Sequence, residues 1–175
     1  MTQPLGKELL TIGARAWAVV SGILHIIHPS QYVMARAVQK GITGRGLCRE
    51  AHRIWPTVFN AVTMISNRET PFHRDSKSSS SWYDVITSVG PYDKALLYLS
   101  PLAIRTDNRP GTVCAFSGVA HRHAVRRIVY PRVCFAWYQR EDVRRGAFVD
   151  SAGYMTQKHY NDCVGPKGIR FWSSS

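Results

Sequence analysis

Val133-Cys134-Phe135-Ala136-Trp137-Tyr138 is an unbroken run of β-branched, aromatic and small apolar residues. Its length and make-up suit a buried strand rather than a helix. Working outward, Thr57-Val58-Phe59, Val62-Thr63-Met64-Ile65, Val85-Ile86-Thr87, Leu96-Leu97-Tyr98-Leu99 and Val113-Cys114-Ala115-Phe116 share that texture. Val89-Gly90-Pro91, Asp107-Asn108-Arg109-Pro110-Gly111 and Ser117-Gly118 supply turn material between them. Short strands so spaced predict an all-β sandwich or jelly roll. The region before Trp55 reads differently. Leu9, Leu10, Ile12, Trp17, Val20, Ile23, Leu24 and Ile27 recur mostly at three- and four-residue steps, which predicts a helix over 7–27. Pro29 and Ser30 interrupt it. Ser30 is the expected cap of a second helix over 31–39, ended by Gly41. The expected class is therefore α+β, a jelly roll with N-terminal helices packed on it. A short strand is also expected near 168–172.

Composition narrows the function. The chain has 175 residues, 45% of them hydrophobic and 19% charged, enough to bury roughly 70% of its unfolded surface as one domain. Wholesale disorder is excluded. Lys and Arg number 23 against 11 Asp and Glu, a net charge of +12, whose commonest physical meaning is a polyanionic partner. Arg45, Arg49 and Arg53, four residues apart, would form one helical stripe, a solvated face or a phosphate-contacting one. Cys48, Cys114, Cys134 and Cys163 are far apart and form no CxxC pair, so a structural zinc site is not expected and reduced, intracellular cysteines are. The apolar run 16–27 is too short for the roughly 20 residues a membrane span needs, and the N-terminus lacks the ordered regions of a secretory signal. No membrane partner is expected.

The chemistry is expected to gather around His73 and Asp75 in Pro71-Phe72-His73-Arg74-Asp75. In extended chain, residues i and i+2 face the same side, so an imidazole and a carboxylate converge as they do on a divalent metal. Taken alone, HxD is equally a surface ion pair, and a metal site requires a third ligand. His121 and His123, in Gly118-Val119-Ala120-His121-Arg122-His123-Ala124-Val125, are the candidates. His25 and His28 fall on the predicted helices, His52 precedes the strands and His159 lies in the tail. Arg132 opens the strand quoted first, where its guanidinium suits a bidentate pair with a carboxylate deep in a barrel.

The assembled pattern resembles a known family. His73-Arg74-Asp75, the turn Pro110-Gly111-Thr112-Val113-Cys114-Ala115-Phe116-Ser117-Gly118, His123-Ala124-Val125 and an Arg-led aromatic strand are similar to motifs of the TET/JBP group of 2-oxoglutarate and Fe(II)-dependent dioxygenases, especially its compact fungal and protist members. Motif support covers roughly residues 56–145. The resemblance implies a double-stranded β-helix with a helical N-terminal portion over 1–53, a core over 54–145 and a tail over 146–175, together one dioxygenase domain over 1–175. It implies His73, Asp75 and His123 as the catalytic iron ligands, His123 being preferred to His121 for the small residue and Val that follow it. It implies Arg132 on the distal carboxylate of 2-oxoglutarate and Arg68 as a second cosubstrate contact, with surface pairing to Glu69 the alternative. Arg140 is a further carboxylate candidate, nearer solvent. The loop after the ligands, with Lys77, Trp82 and Tyr83, is the expected substrate contact, Trp82 and Tyr83 serving equally as core anchors.

The implied reaction consumes Fe(II)-bound 2-oxoglutarate and O2, releases succinate and carbon dioxide, and hydroxylates the methyl group of a modified base. The expected substrate is 5-methylcytosine in double-stranded DNA, flipped from the duplex, since a C5 methyl inside the stack cannot reach a buried iron. Nuclear residence and a monomer accompany that reading. N6-methyladenine or another methylated nucleic acid, a protein hydroxylase, and a catalytically silent DNA-binding module remain as alternatives.

Overall fold

The computed structural model describes residues 4–44 and 49–164 and divides the chain into two compact units, residues 1–60 with 143–175, and residues 61–142. The first is helical: α1 (Pro4–Ile12), α2 (Ala14–Ile27), α3 (Pro29–Gly44) and α4 (Arg49–Ile54) precede the strands. Two further helices, α5 (Glu141–Gly146) at the junction of the units and α6 (Gln157–Val164), follow them. Trp17, Val20 and Leu24 of α2, Met34, Ala35 and Val38 of α3, and Phe59 and Ala152 are among its buried apolar side chains, and α2 packs on α3. None of the helices among the described residues is long and apolar enough to cross a membrane.

The sequence periodicity across 7–27 resolves into two helices rather than one. Gly13 caps α2, and its missing side chain makes room for the Trp17 indole, whose Nε1 lies 2.0 Å from where a Cβ would stand. Ser30 lies inside α3 instead of capping it. His28 performs that task, its Nδ1 accepting the Gln31 N–H at 3.3 Å, three positions on as an N-cap acceptor should be, with Pro29 in the first helical turn where its absent N–H costs nothing. Gly41 does not stop α3, which runs on to Gly44. Instead it allows Ala147 to approach, its Cβ 3.1 Å from a Cβ placed on Gly41. The expected strand at 57–59 is absent, because its backbone is satisfied by side chains. Val58 N–H donates to Ser21 Oγ at 3.0 Å, and Gln39 Nε2 donates to Phe59 O at 2.8 Å. Of the expected Arg stripe, Arg53 is exposed, while Arg45 and the Arg49 side chain lie outside the described residues, as does the strand expected at 168–172.

The second unit holds eight strands: β1 (Ala61–Ser66), β2 (Thr70–His73), β3 (Asp84–Val89), β4 (Leu96–Leu99), β5 (Ile104–Asp107), β6 (Val113–Phe116), β7 (His123–Arg126) and β8 (Val133–Tyr138). They form two four-stranded antiparallel sheets, ordered β1-β8-β3-β6 and β2-β7-β4-β5. Ile86, Phe116 and Cys134 of the first sheet meet Leu97, Leu99 and Val125 of the second, with Tyr92 and Ala95 from the β3–β4 connection, in one buried apolar cluster. The core therefore lies between the sheets. Alternation holds on β4, where Leu97 and Leu99 enter this cluster while Tyr98, between them, packs edge-on to Phe72.

Candidate active site

His73 ends β2, His123 begins β7, and the antiparallel register sets the two residues directly opposite each other. Their rings are 4.3 Å apart between centroids. Asp75 lies just past β2, its backbone N–H held by Gly118 O at 3.0 Å, and its carboxylate reaches both rings: Oδ1 is 3.5 Å from His73 Nε2 and Oδ2 is 3.9 Å from His123 Nε2. One ligand atom from each of the three can be chosen so that all lie within 4.8 Å of one another.

The second ring nitrogens fix the tautomers. His73 Nδ1 is 2.8 Å from Pro71 O, and His123 Nδ1 is 2.9 Å from His121 O. Each Nδ1 must carry the proton to donate to a carbonyl, which leaves the Nε2 lone pair facing Asp75, the arrangement a metal requires of histidine. Burial also holds the His123 imidazole below its ordinary pKa, against the opposing pulls of the His121 carbonyl and Asp75. The neutral form is the ligating one. His121 thus contributes its carbonyl, and Arg74 turns aside to donate to Ala120 O at 2.8 Å, tying the ligand loop to the turn before β7. Two imidazoles and one carboxylate gathered on one side, with open space beyond, fit an Fe(II) centre of facial-triad type.

That space is a cavity of about 500 Å³ lined by residues of both sheets, the three candidate ligands among them. Arg132 lines it too, although only 1% of the residue is exposed. Its Nη2 donates to Ser88 Oγ at 2.8 Å, its guanidinium lies 5.8 Å from the Tyr92 ring centroid, and its backbone N–H is anchored on Asn67 Oδ1 at 2.8 Å. No hydrogen-bond partner meets its Nε. Among the described residues no carboxylate neutralises this buried cation, a costly arrangement unless an anion enters. A carboxylate bound in the cavity would supply the missing charge.

Arg68 also lines the cavity. Glu69, its alternative partner in sequence, is engaged elsewhere, by Arg126 at 3.4 Å and by the Arg127 backbone N–H at 2.6 Å. Arg140 is also among the lining residues, and its Nε donates to Asp142 Oδ1 at 3.0 Å. Lys77 lines the mouth in a left-handed conformation, φ 73°. Trp82 is fully buried and Tyr83 half-buried, and neither belongs to the lining.

Sequence reasoning missed Asp84, a buried member of the lining whose Oδ2 accepts the Gly118 N–H at 3.0 Å. Burial raises its pKa from 3.8 to about 7; the Gly118 hydrogen bond opposes this and the charge of Asp75 adds to it. The available signal was an acid opening an otherwise apolar strand, Asp84-Val85-Ile86. Ser88 and Asn67, which hold Arg132, carried no such signal.

Residues 8–141 match the model of the Tet_JBP family, the oxygenase domain of the 2OGFeDO superfamily. No curated protein matches the chain. Among solved structures, NgTET1 in complex with 5mC DNA is similar, with a TM-score of 0.58 and 16% identity over 81% of this chain and 54% of that one. The chain thus spans about half the length of that structure, and the likeness is one of fold. With the family model spanning most of its length and a His-Asp-His cluster at the centre of the matched region, the chain belongs to the Tet_JBP family of 2-oxoglutarate and Fe(II)-dependent oxygenases.

Proposed function

We propose that the chain oxidises the methyl group of a modified base in DNA, converting 5-methylcytosine to 5-hydroxymethylcytosine and onward to more oxidised forms. The observation that carries this reading is the pairing, in one cavity, of the His73–Asp75–His123 cluster with the buried and unneutralised Arg132. His73, Asp75 and His123 would hold Fe(II) through Nε2, a carboxylate oxygen and Nε2. Bound there with 2-oxoglutarate and O2, the iron supplies the oxidation, one oxygen atom going to the methyl carbon and the other to succinate as carbon dioxide leaves. Arg132 would receive the far carboxylate of the cosubstrate, and Arg68 would add a second cationic contact.

The strand order of the two sheets supports a double-stranded β-helix, and the whole chain, 1–175, is read as one dioxygenase domain. The net charge of +12 and the 5mC DNA in the NgTET1 structure support a DNA substrate. Lys77, at the cavity mouth, would meet a phosphate or the flipped nucleotide, while Trp82 and Tyr83 anchor its loop. Phosphate contacts of this kind fix position without choosing the base. Action on nuclear DNA, as a monomer, completes the reading.

Protein supplied with Fe(II), 2-oxoglutarate and a duplex carrying 5-methylcytosine should yield 5-hydroxymethylcytosine by nucleoside mass spectrometry, and His73→Ala or His123→Ala should abolish it. Absence of any oxidised base from methylated DNA would overturn the proposal.

A further inference from the structure

Asp84 is the one cavity-lining carboxylate besides Asp75, and only 4% of the residue is exposed. Its two oxygens differ. Oδ2 accepts the Gly118 N–H at 3.0 Å, whereas Oδ1 is buried with no hydrogen-bond partner. A buried acceptor left unsatisfied is costly, and a donor brought by a ligand into the cavity that Asp84 lines would satisfy it. Asp84 also sits close to the ligand cluster: the place of a missing Gly118 Cβ is 2.1 Å from Asp75 Oδ2 and 2.8 Å from Asp84 Oδ2. The Asp84 carboxylate therefore stands beside that of Asp75.

The substrate's chemistry supplies a matching pair of features. In 5-methylcytosine the carbon next to the methyl-bearing one carries an exocyclic amino group, a donor; in thymine the same carbon carries a carbonyl, an acceptor. A base whose methyl approaches the iron site brings that neighbouring substituent towards Asp84. We propose that Asp84 is the residue that selects an amino-bearing base, accepting the amino N–H on Oδ1 and repelling the thymine carbonyl. This rests on the base-oxidation reading above, and it names what that reading needs, because thymine offers a C5 methyl at every A·T pair. A hydrophobic pocket discriminates weakly between near-isosteric groups, but a carboxylate facing a carbonyl leaves two acceptors unpaired.

Asp84→Asn isolates the point. The Gly118 N–H requires an oxygen opposite it, so the amide would keep its oxygen there and present its NH2 where Oδ1 stood, exchanging an acceptor for a donor. At about pH 8.5, above the raised pKa of Asp84, where Oδ1 is an acceptor, wild-type and Asp84→Asn protein, each loaded with Fe(II) and 2-oxoglutarate, are given duplexes with 5-methylcytosine or thymine at one position, and hydroxymethyl products are quantified by mass spectrometry. The expected result is at least a tenfold fall in the ratio of kcat/KM for 5-methylcytosine over thymine. Co(II) binding should be retained, which a purely structural role in the ligand loop would not predict. A second measurement needs no variant: wild-type protein should process 5-methyl-2-pyrimidinone, which lacks the amino group, at least tenfold less efficiently than 5-methylcytosine. Unchanged ratios in Asp84→Asn, or equal use of the base without its amino group, would overturn the assignment while leaving the base-oxidation reading standing. Absence of product from every methylated duplex would overturn that reading and this assignment together.

Discussion

Gly118→Ala should cost the protein its metal and leave its fold. Gly118 has no left-handed φ, so its backbone accepts alanine, and the effect arises from space alone. The added methyl would stand 2.1 Å from Asp75 Oδ2 and 2.9 Å from Asp75 Cγ, where ordinary contact begins at 3.4 Å. The carboxylate must then retreat by roughly an ångström or more, several times the tolerance of about 0.2 Å within which a ligand keeps its metal bond. Asp75 is half-exposed and lies two residues beyond the end of β2, so its side chain can rotate away without disturbing either sheet. The closer packing against buried Asp84, 2.8 Å from the methyl, should cost about 1–2 kcal/mol of stability, within the usual range for a crowded core. Losing a correctly placed ligand should weaken metal binding at least 100-fold, about 2.8 kcal/mol. Isothermal titration with Co(II), a redox-stable substitute for Fe(II), measures the second quantity, and urea unfolding of chelator-treated protein measures the first. A variant that binds Co(II) within threefold of wild type would refute the spatial argument, and with it the placing of Asp75 among the ligands.

Two further outcomes follow from the same cavity. Arg132→Met should raise the KM for 2-oxoglutarate by about 10- to 100-fold, the loss of one or two charge-assisted hydrogen bonds, while Co(II) affinity stays unchanged; succinate formation measures the first, and an unaltered KM would remove Arg132 from the cosubstrate site. In chelator-treated protein, Asp84 carries a folded-state pKa of about 7 against an ordinary 3.8. The folded state then holds a proton that the unfolded state releases, so stability falls as pH rises from about 4 to 7 and is level above, by about 3–5 kcal/mol. Urea unfolding of wild type against Asp84→Asn across that window should show the difference, and parallel curves would refute it.

What could be read from the sequence and what could not divide along a physical line. His73 and Asp75 were legible as an imidazole and a carboxylate at i, i+2 spacing and Arg132 as a guanidinium opening an apolar strand, whereas His123 was separated from His121 only by the resemblance of His123-Ala124-Val125 to the family's motif. The strands β3, β4, β6 and β8 were legible because their residues face a core. The strands β2, β5 and β7 were not. Thr70-Pro71-Phe72-His73 contains a proline, Ile104-Arg105-Thr106-Asp107 is an edge strand that is mostly exposed, and His123-Ala124-Val125-Arg126 is four residues long and begins and ends on charged or titratable groups. Such strands form because a neighbour offers a ladder, and their own propensity is too weak to announce them. The capping role of His28 and the side-chain bonds that replace a strand at 57–59 were hidden for the same reason, since each depends on a partner distant in sequence or on the exact turn taken by the chain.

The site itself depends on two of those silent strands. His73 and His123 are separated by fifty positions of sequence, yet they sit opposite each other because β2 pairs with β7, and a slip of one residue in that pairing would turn one imidazole to the other face of the sheet. The β2–β7 ladder has a bulge between Thr70 and His73, and Thr70 Oγ1 accepts the Val125 N–H at 2.9 Å beside it. Glu69 Oε1 takes the Arg127 N–H at 2.6 Å immediately before that. Two side chains of the segment leading into His73 therefore grip the backbone of the partner strand on the far side of the bulge, fixing the register where backbone pairing is interrupted. The side chains that could hold a metal are His73, Asp75 and His123, while Glu69 and Thr70, outside that group, help fix the register in which the two histidines meet.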